Sequence, residues 1–118
     1  MRVLIFGGRD WNDSVSTFNF LDECAGDFNL DYDTTVVSGL ARGADTLGVE
    51  WAVANNLSVD RYPANWDAHG KRAGFIRNQE MLDSGIDLAI QFPGGRGTAD
   101  MRRRLDKAGV KVIEYEPH

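Results

Sequence analysis

The residues best suited to chemistry are Gly94, Gly95, Gly97 and Thr98, in the run Pro93-Gly94-Gly95-Arg96-Gly97-Thr98. Glycines at a turn let the backbone come close to a ligand and direct its N–H groups outward. A helix that starts there adds unpaired N–H groups and the positive end of its dipole. Thr98 adds a hydroxyl. The chemistry is the binding of an anion, most often phosphate, without a metal.

Three further stretches carry groups of the same kind. Gly7-Gly8-Arg9-Asp10 either holds a ligand through backbone N–H groups and the Arg9 guanidinium, or forms a tight turn with a surface arginine. In Ser38-Gly39-Leu40-Ala41-Arg42-Gly43-Ala44-Asp45, Arg42 suits bidentate pairing with phosphate. Gly39 and Gly43 make this a second glycine turn into a helix. Asp45 either binds a ribose hydroxyl or complements the dipole as an acid in a first turn. Arg77 and Asn78 fall inside a helical pattern, and Asn78 shares a face with Phe75, Gln79 and Leu82. A polar residue there needs a partner, either the neighbouring strand loops or a ligand. Trp66 either stacks on a base or plugs its loop onto the core. His69 and His118 have no companions at metal-ligand spacing, so no metal is expected. No cofactor is expected either.

Positioning these groups requires strands that end where the glycines begin. Val3 to Phe6 reads as a strand apolar on both faces, as in a covered parallel sheet. Asp13 or Asn12 caps a helix running to about Phe28, with Phe18, Leu21 and Ala25 on one face. Thr34 to Val37 is a second strand. A helix follows to about Asn55, with Leu47, Trp51 and Ala54 at i, i+4 and i+7. Ser58 to Tyr62 is a third strand, and Ala64 to Gly70 is a loop. Arg72 to Ser84 is a helix, Asp87 to Phe92 a fourth strand, Ala99 to Ala108 a helix and Val110 to Tyr115 a fifth strand. The alternation predicts an α/β, Rossmann-like, five-stranded parallel sheet with helices on both faces. Ligands of such sheets gather beyond the C-terminal strand ends, where all four stretches converge.

Length and composition set limits. The 118 residues are expected to form one domain, 1–118, and 42% are apolar and 26% charged. The net charge of -5 argues against general attraction to nucleic acid or anionic lipid. Cys24 alone forms no disulfide framework and reads as a small buried hydrophobe. No run is long enough to span a bilayer, and no signal peptide opens the chain, so a cytoplasmic location is expected. Neither G-x-G-x-x-G nor G-x-x-x-x-G-K-[ST] is present, which disfavours ordinary dehydrogenases and P-loop ATPases.

With these segments in view, the chain resembles the SLOG superfamily, and within it the small YspA-like group. The resemblance rests on Gly7-Gly8-Arg9-Asp10-Trp11, on Ser38 to Asp45, and on Pro63-Ala64-Asn65-Trp66 with Gly70-Lys71-Arg72-Ala73-Gly74. Arg77-Asn78 with Met81, and Pro93 to Met101, complete it. It implies a Rossmann-like fold and binding of a nucleotide-derived small molecule such as ADP-ribose, by a sensor, carrier or sequestering protein. It also implies association into a homo-oligomer. The related Lonely Guy phosphoribohydrolases carry P-G-G-x-G-T-x-x-E, whose Glu is catalytic; here Met101 stands at that position. Asp100 precedes it by one residue, roughly 100° around a helix. The alternative is therefore an N-glycosidic hydrolase using Asp100 or Asp45 as acid or base. A weaker alternative, single-stranded DNA binding, follows from likeness to DNA-processing protein A (Smf) through Ser38 to Gly43, Asp45 and Arg77-Asn78.

Overall fold

The computed structural model describes residues 1–117. Its central strand is β1 (Arg2–Phe6). Val3, Leu4, Ile5 and Phe6 are all buried there, and they serve opposite faces of the sheet. Val3 and Ile5 enter one core, Leu4 and Phe6 the other. This is the period of two expected of a strand covered on both sides.

After β1 come α1 (Ser14–Phe28), β2 (Thr35–Ser38), α2 (Ala44–Ala54), β3 (Ser58–Arg61) and the short α3 (Trp66–His69). A 3₁₀ turn (Gly70–Arg72), α4 (Ala73–Asp83), β4 (Leu88–Gln91), α5 (Arg96–Ala108) and β5 (Lys111–Glu114) complete the chain. The strands lie in the order β3-β2-β1-β4-β5, all parallel. In register, Leu4 lies between Val37 and Ala89. The order reverses between β1 and β4. There the chain leaves the sheet in opposite directions and opens a crevice at the strand ends.

One core joins Val3, Ile5, Val36, Leu88 and Ile90 to Leu21 of α1 and Trp51 of α2. The Trp51 indole N–H donates to Asp22 at 2.9 Å, so the largest buried side chain keeps its polar atom paired. The second core joins Leu4, Phe6, Val37 and Ala89 to Met81 of α4 and to Met101 and Leu105 of α5. The start of α1 is fixed by Asp13, whose carboxylate accepts the Ser16 N–H at 3.0 Å. Cys24 is a buried hydrophobe, its thiol pushed up to about 11 by burial and by the nearby charges of Asp27 and Glu23. Such a thiol is not a nucleophile at neutral pH.

Two local expectations are corrected. Ala54 is exposed, and α2 instead buries Ala44, Gly48, Trp51 and Ala52. The Ala44 N–H donates to the Gly8 carbonyl at 3.1 Å, which ties the start of α2 to the end of β1 and turns this small-residue face to the sheet. The expected loop from Ala64 to Gly70 contains a helical turn, α3, because the Asn65 side chain caps it by accepting the Ala68 N–H at 3.1 Å. His118 lies outside the described residues. Among the described residues, no helix is long and apolar enough to cross a membrane.

Candidate functional site

The loops after β1 and β4 meet at the switch point. Gly8 holds them together: its N–H donates to the Pro93 carbonyl at 2.8 Å, and its own carbonyl accepts from Ala44 and from Trp11 at 3.3 Å. The Gly8 N–H is thus committed to the fold. Gly94 lies in the same contact. A Cβ there would overlap Thr98 Oγ1 and come within 2.6 Å of the Gly8 nitrogen. Gly43 has φ +83, and a Cβ on it would strike the Gly8 carbonyl and lie 2.7 Å from the Arg9 carbonyl. Gly43→Ala therefore combines left-handed strain with a backbone clash. It is expected to lower stability by about 3 kcal/mol, read from urea unfolding.

Gly95 and Gly97 behave differently. A Cβ on either would meet nothing within 4 Å. Both line a cleft of about 400 Å³ together with Gly7, Gly8, Arg9, Asp45, Trp66, Arg77, Asn78 and Thr98. The cleft thus gathers most of the residues singled out from the sequence. Gly95 begins α5 with no side-chain cap. The first-turn N–H groups of Arg96, Gly97 and Thr98 therefore have no partner within the helix. Arg96 also lines the cleft, and a cation at the positive end of a helix is unfavourable unless an anion joins it.

The floor is polar and ordered. Asp45, in the first turn of α2, is only 5% exposed. Burial pushes its carboxyl up to about 6, against the pull of Arg77, the Ala41 and Gly7 N–H groups, and Arg9. Arg77 donates to the Gly39 carbonyl at 2.5 Å and to Asn78 Oδ1 at 3.2 Å. A Cβ on Gly39 would be 2.8 Å from the Arg77 guanidinium carbon, so Gly39 is the bed on which that group lies. Burial lowers the Arg77 pKa, which the Asp45 charge partly offsets. Asn78 donates to the Gly97 carbonyl at 3.3 Å and to Asp100 at 3.1 Å. Its partner is therefore the first turn of α5 itself.

Asp100 is buried beneath that turn and does not line the cleft. It accepts from Arg103 at 2.6 Å and from Arg104 at 2.8 Å. Burial acts to raise its pKa, but the bonds from Arg104 and Asn78 and the charges of Arg104 and Arg103 hold it below the usual carboxylate range. Met101, also buried, does line the cleft. The arginine run is tied into the fold, since Arg102 pairs with Asp106 at 2.9 Å and Arg103 and Arg104 pair with Asp100.

The rim holds the rest. Trp66 is 49% exposed and does not plug the core. The Arg9 guanidinium lies over its ring, 5.5 Å from the centroid. Arg42 is not brought into the cleft; it is exposed and pairs with Asp10 at 3.5 Å. Sequence reading missed Phe6, Phe75, Met81 and Arg96 as cleft residues. For Arg96, a cation beside glycines at a helix start was a usable signal. Among the described residues, no three His, Cys, Asp or Glu side chains converge as a metal site requires.

A parallel sheet of this order, with a glycine-walled cleft at its switch point, defines a Rossmann-like α/β protein. The chain belongs to the YspA, cpYpsA-related SLOG family, whose model matches residues 1–69. It is also similar to the Gene 61 protein of Mycobacterium phage D29. The two are 39% identical over 122 positions, covering 97% of this chain and 95% of that protein. The family match ends with α3, whereas the likeness to the phage protein extends over α4 and α5 as well. No solved structure matches the chain. Membership of the family points to a nucleotide-related function.

Proposed function

We propose that the protein binds a nucleotide-derived small molecule, ADP-ribose-like or a nucleoside phosphate, in the cleft at the strand ends. It would act in the cytoplasm as a sensor, carrier or sequestering protein, and as a homo-oligomer on the strength of the resemblance. One observation carries this reading. The uncapped start of α5 borders the cleft, and Gly95 and Gly97 leave open the space their side chains would fill. A phosphate suits such a wall, because it accepts the N–H groups and answers both the dipole and Arg96. Asp45 across the cleft suits a ribose hydroxyl. A volume of about 400 Å³ is in the range of small-molecule sites.

A second reading is favoured by Asp45 alone. A buried carboxyl with a pKa of about 6 in a ligand cleft is the kind of group that moves a proton near neutral pH. Breaking an N-glycosidic bond builds positive charge on the sugar, and a carboxylate steadies that charge or activates water. Met101 can do neither. Asp100, paired with two arginines, is poorly free to do so.

One experiment tests both readings. The purified protein is heated with and without ADP-ribose, NAD and a set of nucleoside monophosphates, and the same mixtures are analysed for free base. A rise in the unfolding midpoint with ligand recovered intact is expected. Base released over many turnovers, and lost in Asp45→Asn, would establish the hydrolase. No stabilisation by any of these compounds would reject the nucleotide reading.

A further inference from the structure

We propose that the Trp66 end of the cleft is a nucleobase subsite indifferent to which base it holds, and that Arg9 leaves the Trp66 ring for the phosphate when a base stacks there. This rests on the nucleotide reading above and adds the ligand's direction in the cleft. The phosphate lies at α5 and the base at α3.

Trp66 is a large aromatic with about half its surface in solvent, on a segment that buries none of its residues. It is not there to fill the core. Phe75, also partly exposed, lines the same cleft. Two guanidinium groups stand beside Trp66. Arg9 lies over the ring. A Cβ on Gly74 would be 3.7 Å from Trp66 Cη2 and 3.8 Å from Arg77 Nη2, so Arg77 reaches the same corner. Guanidinium groups only donate. Telling bases apart requires donors and acceptors matched to each base edge. The cleft's one amide, Asn78, is committed to Gly97 and Asp100, and Asp45 is buried on the floor. Asp10, the cleft's other carboxylate, pairs with Arg42 at 3.5 Å. The large surface left to a base at this end is a flat ring, and every base offers a face to it.

Arg9 now occupies that ring. Stacking of a base on an indole outweighs a cation–π contact at an exposed site, so an arriving base displaces the guanidinium. Arg9 also lines an adjoining groove with Pro93, Gly94 and Gly95. Arg9 thus borders both the Trp66 ring and the groove at the start of α5, which is where its guanidinium would exchange the ring for the phosphate.

The test compares AMP, GMP, CMP and UMP with ribose 5-phosphate, by calorimetry and by tryptophan emission. The four nucleotides are expected to bind within about tenfold of one another and to quench the emission. Ribose 5-phosphate is expected to bind roughly tenfold or more weakly, without quenching. In Trp66→Ala, the nucleotides should bind no better than ribose 5-phosphate, whose own affinity is not reduced. Trp66→Phe should keep part of the advantage while losing the quench. Equal AMP affinity in Trp66→Ala and wild type would overturn the proposal and leave the nucleotide reading standing. So would a preference for one base above about a hundredfold. If neither AMP nor ribose 5-phosphate binds, both fall together.

Discussion

Gly95→Asp is expected to abolish ligand binding and leave the fold as stable as before. A Cβ on Gly95 meets nothing within 4 Å, so the backbone there accepts a side chain without a clash at its base. It would also stand at the N-cap of α5, where aspartate is among the preferred residues. Its carboxylate can take the Gly97 and Thr98 N–H groups and act as a built-in anion where the proposed phosphate would sit. Stability should be unchanged or higher by a few tenths of a kcal/mol. Affinity should fall by at least about a hundredfold, since charge-assisted hydrogen bonds are lost and repulsion is added. If the ligand binds as proposed, wild type at about a hundred times Kd should gain about 2.7 kcal/mol of stability, and the variant none. Gly94→Ala is the contrast. Its Cβ would overlap Thr98 Oγ1 and crowd Gly8, so it should damage the fold itself. Unfolding curves with and without ADP-ribose or AMP separate the two effects. Undiminished ligand stabilisation of Gly95→Asp would remove the start of α5 from the site.

Asp45→Asn is expected to make the protein more stable while weakening its function. Burial raises the Asp45 carboxyl from 3.8 to about 6. The folded state therefore holds a proton that the unfolded chain has released between those values. Wild type should be at its best, as far as this group is concerned, below pH 3.8. It loses stability as pH rises towards 6 and is level above. A shift of about two units corresponds to about 3 kcal/mol. Asparagine resembles the neutral acid and can still accept the Ala41 and Gly7 N–H groups, so it avoids that loss. Asp45→Asn should thus gain about 2–3 kcal/mol at pH 7 and little at pH 4. Asp100, whose pKa is lowered, acts in the opposite sense: its contribution is present above 3.8 and is lost as pH falls below. Urea unfolding of both proteins at pH 4, 5, 6 and 7 reads the difference directly. Equal curves at pH 7 would mean that the Asp45 carboxylate is not penalised by its surroundings. A carboxyl raised by burial, in a cleft, fits work on a ligand.

Much of this was legible in the sequence, for local reasons. Val3-Leu4-Ile5-Phe6, apolar on every position, announces a strand covered on both faces. Glycines at the ends of β1, β2 and β4 mark where backbone comes close to backbone or to a ligand. What could not be read depends on packing between distant segments. Gly39 looks like an ordinary turn glycine until α4 brings Arg77 down upon it. Asn78 advertises a need for a partner without naming it, and the partner is the first turn of α5. Phe75 enters the cleft through the packing of α4 against α5, which periodicity does not encode. Four-residue α3 is too short to leave a periodic trace. Asp100 is the reverse case, since its partners at i+3 and i+4 were open to view in Asp100, Arg103 and Arg104.

The segment from Trp66 to Arg72 buries none of its side chains, whereas α5 is anchored by Thr98, Met101 and Leu105. Regions with few buried contacts open at small free-energy cost, and well-buried helices open only near global unfolding. The two walls of the cleft therefore differ in compliance. One is a stiff jaw built into the core, and the other is a soft flap hinged on α4. Amide exchange should be slow along α5 and fast from 66 to 72 until a ligand bridges them. If the cleft takes a ligand as proposed, it would work as a vice with one fixed face, the exposed segment adjusting while the sheet stays as it is.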